Sequence, residues 1–342
     1  MKENQISTGR FIDGKEIFAV ELTNSLGSKV KIYNYGAIVS EFIVTNAKGE
    51  KQDIILGFDD IDGYLNEDYL ADYPYLGVIV GRYSNRIKDG KYSIDGVGYQ
   101  MDKSLHGGIT GFDKKVWNIL PTVDPSLTLQ YISPDGEESF PGNLTVQLTF
   151  KLSDANELIL DYSAVTDAAT AINLTHHTYF NLNKDGGNVA GHQLRIPAGN
   201  YLEQDADYVV TGRLTPVAGT SHDFLAGKAI GHDWDPGEGY DQSFVLDKPY
   251  GELGLASETT ERTSGLKLDV YTTEPVAHFY TAKYLNTAIG KGGKGYGPFE
   301  AFCIETQHYP NSVNVPDFPT TILRPGDTYK QTTIFKVSHS VK

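Results

Sequence analysis

Apolar and polar residues alternate over short stretches of this chain, and glycine, proline or asparagine breaks the alternation every few residues. "FAVELT", "KVKIYNYGAIVSEFIV", "LTVQLTFKL", "ELILDYSAV", "LKLDVYTTE" and "YKQTTIFKVS" all carry the period of two expected for strands with one buried face. Many such runs between turn signals predict an antiparallel all-β architecture rather than alternating βα units. In "DGKYSIDGVGYQM" (89–101), Asp95-Gly96 stands between two strand-like runs and predicts a hairpin with a two-residue turn. Few stretches read as helical: "FDDIDGYLNED" (58–68) and "HDFLAGKAIG" (222–231) each predict a turn or two.

The same period sorts the chemistry in "NLTHHTYFNL" (173–182), where two histidines are adjacent. Leu174, His176, Thr178, Phe180 and Leu182 fall on one face, and Asn173, Thr175, His177, Tyr179 and Asn181 on the other. The first set packs inward. The second is hydrogen-bonding throughout and lines solvent or a polar cavity, so His177 is the candidate for chemistry.

Composition narrows the picture. With 342 residues and 39% hydrophobic content, the chain can bury a large core, and no composition break or repeat divides it, so a single domain over 1–342 is expected. No apolar run approaches the ~20 residues of a membrane helix, and the N-terminus lacks an apolar segment of signal-peptide length. One cysteine, Cys303, excludes an intramolecular disulfide and suits a cytoplasmic protein. A formal charge of −15 disfavours nucleic acid and anionic membrane surfaces as partners.

Several motifs lead nowhere. "GKGGKG" (290–295) matches the spacing of a dinucleotide fingerprint, but strand-like "FEAFCIE" follows where a helix is required, so a mobile loop is expected. No H-x-H or H-x-x-x-H spacing offers a metal site. Three stretches carry more. "SLHGG" puts His106 before two glycines, where backbone approaches a ligand closely. "AFCIETQHYPNSVN" places Glu305 on one strand face with Cys303 and Gln307, and "GYDQSFVLD" sets Asp241 before a strand. Taken singly, these residues read first as a loop histidine, an edge carboxylate and a turn former.

Eight longer spellings occur in order: "NYGA", "NRI", "LHGG", "SPDGEESFPGNLTV", "HTYFNL", "YDQSFVLD", "ETQHYPNSVN" and "LRPGDTY". With them the chain resembles the aldose 1-epimerases of the galactose mutarotase type over nearly its whole length. The resemblance implies a large antiparallel β-sandwich, the galactose mutarotase-like supersandwich, with few short helices. It also implies interconversion of the anomers of a free sugar without a cofactor or metal, in a monomer or homodimer with a monosaccharide as partner. By the same motifs, Glu305 is the base on the C1 hydroxyl, His177 the acid on the ring oxygen, and His106 a support for developing charge. Asn85, Arg86, Asp241, His278 and Tyr179 form the sugar-binding set. His278 stands where a glutamine is common, Gln242 where a histidine is frequent, and His176 where a neutral polar residue is usual. Such a pair of groups predicts a bell-shaped pH dependence, with Asp241 expected to keep His177 protonated.

Three rivals remain at this point. Glu305 with Asp241 can be read as a glycosidase carboxylate pair. A sugar-phosphate epimerase would show an Arg/Lys cluster, for which only Arg82 and Arg86 lie near a motif. A non-catalytic carbohydrate-binding protein would need neither acid nor base.

Overall fold

A computed structural model describes residues 5–121 and 126–340. The alternating runs form strands as the pattern predicts. An N-terminal meander of five antiparallel strands covers Gln5–Ile12, Lys15–Thr23, Lys29–Tyr33, Val39–Thr45 and Lys51–Asp53. A nine-stranded sheet follows, centred on Tyr329–His339, which pairs on one side with Glu157–Thr166 and on the other with Leu266–Thr272. A second five-stranded sheet runs in the order Val210–Pro216, Asn200–Gln204, Asp241–Val245, Val276–Tyr280, Cys303–Gln307.

The main core lies between the last two sheets. Phe244, Phe279 and Ile304 from the smaller sheet join Leu148, Phe150, Leu160 and Phe335 from the larger one in a single buried cluster. Apolar burial of this kind is worth about 25 cal/mol per Å² removed from water. Because residues directly opposite in a sheet share a face, committing Phe244, Phe279 and Ile304 to the core turns their neighbours the other way. The register then aligns Asp241 with Tyr280 and Cys303, and Ser243 with His278 and Glu305.

The hairpin forms as expected, with Lys91–Ile94 paired to Val97–Gln100 and positive φ at Asp95 and Gly96. Among the described residues, α-helix is confined to Ile61–Leu65 and Glu67–Asp72, the latter capped by the Asn66 side chain, with short 3-10 turns elsewhere. The turn of helix expected within 222–231 does not form: Gly227 takes φ +78° and closes a turn, and Lys228–Ala229 pairs with the strand Gln193–Arg195 instead. Residues 290–295 are a loop, but a pinned one. Lys291 reaches Asp53 and the carbonyl of Ile55, and Gly292 donates to Asp59. Among the described residues no helix is long and apolar enough to cross a membrane.

Candidate functional site

A cleft of about 170 Å³ opens over the outward face of the smaller sheet, and all eight sequence-nominated residues line it. Asp241, His278 and Glu305 come from three adjacent strands of that sheet. His177 and Tyr179 come from the segment that follows the two-residue strand Thr175–His176, which pairs with Ile79–Val80. Asn85, Arg86 and His106 come from two loops held together by a hydrogen bond from His106 N to Asn85 O.

The predicted split between the two histidines holds. His176 lies edge-on to Phe150, and its ring nitrogens contact Thr178 Oγ1 at 2.7 Å and Ala37 O at 3.2 Å. The carbonyl accepts, so Nε2 carries the proton and Nδ1 accepts from the hydroxyl. Burial lowers its pKa to about 4. His177 faces the cleft, stacked near-parallel between Tyr179 at 4.9 Å and Tyr75 at 6.2 Å. Its Nε2 stands 3.6 Å from Glu305 Oε1 and its Nδ1 3.5 Å from Cys303 Sγ. Tyr179 spends its hydroxyl on Pro74 O, at 2.6 Å, so it presents a ring and not a hydrogen bond to the cleft.

The loop at 104–108 needs its glycines. Gly107 has φ +86°, and a Cβ there would sit 2.0 Å from Gly81 O; at Gly108, φ +112°, it would meet Glu138 Oε2 at 2.1 Å. This packing holds His106 against Tyr75, ring centroids 4.7 Å apart. His106 Nδ1 accepts the Asn85 N–H at 3.2 Å, which puts the proton of the neutral ring on Nε2. His106, His177 and Glu305 cluster closely enough to suggest metal ligands, their donor atoms within 4.8 Å of one another. The fit is poor, because a metal needs the unprotonated nitrogen and the free one here bears the hydrogen. His106 is built to donate.

Electrostatics separate the three cleft histidines. Burial pushes the pKa of His106 well down, and nearby His177 and Arg86 add to that. Burial also lowers His177, with the Glu305 carboxylate offsetting part of the effect. For His278, burial works against the charge, but the hydrogen bond to Asp241 and the field of Glu305 outweigh it and the pKa is raised. Asp241 is correspondingly lowered: its burial is outweighed by His278 and Arg86. The expectation that Asp241 keeps His177 protonated is therefore corrected. The register brings His278, and not His177, within 2.9 Å of Asp241. Gln242 points to the opposite face and donates to Leu202 O, so that departure lies outside the cleft.

Sequence reading missed the aromatic wall of Tyr73, Tyr75, Tyr280 and Tyr284. Tyr73 and Tyr75 belong to the tyrosine-rich stretch at 64–75 and Tyr280 and Tyr284 to "HFYTAKY" (278–284), and nothing in either marks a ligand. Arg82 is no phosphate ligand, since its buried guanidinium is consumed by Ser133, Thr170 and the carbonyls of Pro134, Pro141 and Gly142. Among the described residues Arg86 is the single Lys or Arg in the cleft lining.

The family model described as aldose 1-epimerase matches residues 19–336. A galactose mutarotase of Homo sapiens is 39% identical over 320 residues, 91% of each chain. An aldose 1-epimerase of Escherichia coli K12 is 32% identical over 337 residues, covering 95% of this chain and 96% of its own length. The crystal structure of an aldose epimerase homologue from C. elegans superposes with a TM-score of 0.87 at 30% identity, covering 94% of this chain and 99% of that one.

Proposed function

This chain belongs to the aldose 1-epimerase family and interconverts the α and β anomers of a free aldose, and from that premise we propose that Glu305 is the base and His177 the acid of ring opening. The observation that carries the assignment is the 3.6 Å approach of His177 Nε2 to Glu305 Oε1. O1 and O5 of a pyranose are bonded to the same carbon, so the groups serving them must be close neighbours. A glycosidase instead needs two carboxylates roughly 5 to 9.5 Å apart, and here Asp241 is bound to His278.

In the proposed sequence Glu305 takes the proton from O1 as His177 delivers one to O5, and the C1–O5 bond breaks to give the open-chain aldehyde. Rotation about C1–C2 turns the other carbonyl face toward O5. On reclosure O5 bonds to C1 and returns its proton to His177, while Glu305 returns the other to O1. No atom or electron is gained or lost, and no cofactor is called for. Positioned acid and base groups each supply roughly 10² to 10⁴-fold. The Nε2–H of His106 supports the negative charge that builds on oxygen during this exchange. Asn85, Arg86, Asp241 and His278 hold ring hydroxyls, and the Tyr179 ring backs the imidazole of His177.

We read the chain as one domain, because the main core draws on residues from Val20 to Val337. The test is the polarimetric relaxation of freshly dissolved α-D-galactose with a catalytic amount of protein. Faster approach to the same final rotation is expected in the wild type, with the acceleration lost in Glu305→Gln. Undiminished acceleration in that variant would remove Glu305 from the mechanism.

A further inference from the structure

The two oxygens of the Glu305 carboxylate have different surroundings. Oε1 stands 3.6 Å from His177 Nε2, whereas Oε2 is fully buried and accepts no hydrogen bond from any described residue. Ring opening at the cleft gives a role to the outer oxygen only.

Two further buried groups behind the base are in the same condition. Cys303, Glu305 and Gln307 alternate onto one face of the strand Cys303–Gln307. Gln307 is 0% exposed, and neither its amide nitrogen nor its amide oxygen is bonded to a described residue. Thr175 is equally buried, and its hydroxyl is likewise unpaired. The course of the neighbouring chain brings the two together. The Asn173 side chain bonds both backbone groups of His308, and Phe180 bridges Phe302, so residues 173–180 run antiparallel beside 308–302. His177 meets Glu305 along that run. Two residues back from His177 and two on from Glu305, Thr175 comes level with Gln307.

A buried amide or hydroxyl without a partner destabilises a fold, and an apolar side chain of the same shape would not. Orphaned groups converging behind a catalytic base are therefore kept for something other than stability. Groups of this kind are joined in folded proteins by buried water, which takes about three hydrogen bonds from them.

We propose that Gln307 and Thr175 are positioning residues for the base, holding a buried water that donates to Glu305 Oε2. The water accepts from the Gln307 amide N–H and the Thr175 hydroxyl and gives one hydrogen to the carboxylate. Because a carboxylate is planar and rigid, fixing Oε2 fixes the direction in which Oε1 meets the substrate. Neither residue belongs to the lining of the cleft, so neither touches the sugar. The proposal rests on the assignment of Glu305 as the base.

The experiment compares wild type with Gln307→Met, Thr175→Val and Thr175→Ser by saturation kinetics on galactose and by urea unfolding. Methionine and valine keep the shape and remove the polar atoms, and serine keeps the hydroxyl. Gln307→Met and Thr175→Val are each expected to lower kcat at least about tenfold and to leave KM within about threefold, as for a misaligned catalytic group. Their urea midpoints are expected to equal or exceed that of wild type, because no hydrogen bond within the protein is lost. Thr175→Ser is expected to keep the wild-type kcat. A crystal structure of the wild type is expected to show a water within about 3.2 Å of both Glu305 Oε2 and Gln307 Nε2. Wild-type kcat in either Gln307→Met or Thr175→Val would overturn the proposal, as would a rise in KM alone, lowered midpoints in both variants, or an inner oxygen with no water beside it. Failure of the base assignment reads differently, since Glu305→Gln would then accelerate galactose as the wild type does. Loss of acceleration in Glu305→Gln beside normal kcat in the other two variants would overturn the positioning role alone.

Discussion

His278 lies directly opposite Glu305 in the sheet, and its Nε2 is 2.9 Å from Asp241 Oδ1. On the other ring nitrogen, Ser243 Oγ stands 2.9 Å from Nδ1, so both nitrogens are held by hydroxyl or carboxylate oxygen. A half-buried carboxylate with such a partner keeps its charge and its direction, which a ligand for sugar hydroxyls requires. His278→Ala removes both the donor and the cation. A hydrogen bond to a charged group contributes about 1.5 to 3 kcal/mol, so kcat/KM for galactose is expected to fall about ten- to a hundredfold, mostly through KM. Saturation kinetics by polarimetry read this directly, and an unchanged KM would remove His278 from substrate binding.

Glu305 and His177 act on two oxygens of one carbon, and their effects should not add. Glu305→Gln and His177→Asn are each expected to lower kcat by at least about a hundredfold. The double variant is expected to lose little more than the worse single one, as for residues that act as a unit. Single-variant losses that multiply in the double variant would show two independent contributions in place of a coupled proton exchange.

The pH dependence of activity follows from the direction of the His177 shift. Burial lowers its pKa, so the protonated acid is present at low pH and disappears as pH rises through a value below the ordinary 6.5. Since kcat/KM reports groups of the free enzyme, its alkaline limb is expected below pH 6.5. A limb at pH 8 or above would assign the acid role to another group.

Strand period is enough to separate His177 from His176, although only Thr175–His176 in that stretch is regular strand. The alternation survives because Phe180 continues the pairing through bridges to Ile55 and Phe302. Glycine spacing likewise marked the His106 loop, since Gly107 and Gly108 have no room for a side chain. The partner of Asp241 was not legible, because it is fixed by cross-strand register, which no local pattern encodes. Nor were Tyr75, Tyr280 and Tyr284 among 22 tyrosines, since only tertiary packing brings them to the cleft. The false helix at 222–231 shows local propensity yielding to sheet pairing at Lys228–Ala229.

Stability is expected to fall between pH 7 and pH 5, before most carboxylates titrate. His176, His192, His222 and His308 have pKa values lowered to about 4 by burial, and His106 and His177 are lowered too. For each, the unfolded chain binds the proton near 6.5 and the folded chain only at lower pH. Their contribution to stability is present above 6.5 and is lost as pH falls toward 4. Four groups act the other way. His278 is raised, and burial raises Glu274 to about 8, Asp113 to about 6 and Asp269 above its ordinary value, so these bind protons more readily when folded. The lowered histidines outnumber them. Urea unfolding at pH 7 and pH 5 should give the lower midpoint at pH 5, and the reverse order would mean that the buried carboxyls dominate.

Two glycines of similar φ separate strain from collision. Gly96 in the hairpin turn has φ +84° and nothing within 4 Å of an added Cβ, whereas Gly107 has φ +86° and the Gly81 carbonyl oxygen at 2.0 Å. Alanine at either position meets the positive-φ penalty, of order 1 to 2 kcal/mol. At Gly107 it must also displace a backbone carbonyl, because no flexible side chain is there to yield. Gly96→Ala is expected to lower stability by about that penalty and to leave turnover unchanged. Gly107→Ala is expected to cost several kcal/mol, in the range that marks a steric defect. It should also lower kcat in the molecules that remain folded, because His106 and its Nδ1 contact with Asn85 N–H ride on the same loop. Urea midpoints and polarimetric rates on the two variants check both halves. Equal stabilities would show that the 104–108 loop relaxes freely around the added methyl group, and normal turnover in Gly107→Ala would show that the placement of His106 does not depend on that packing.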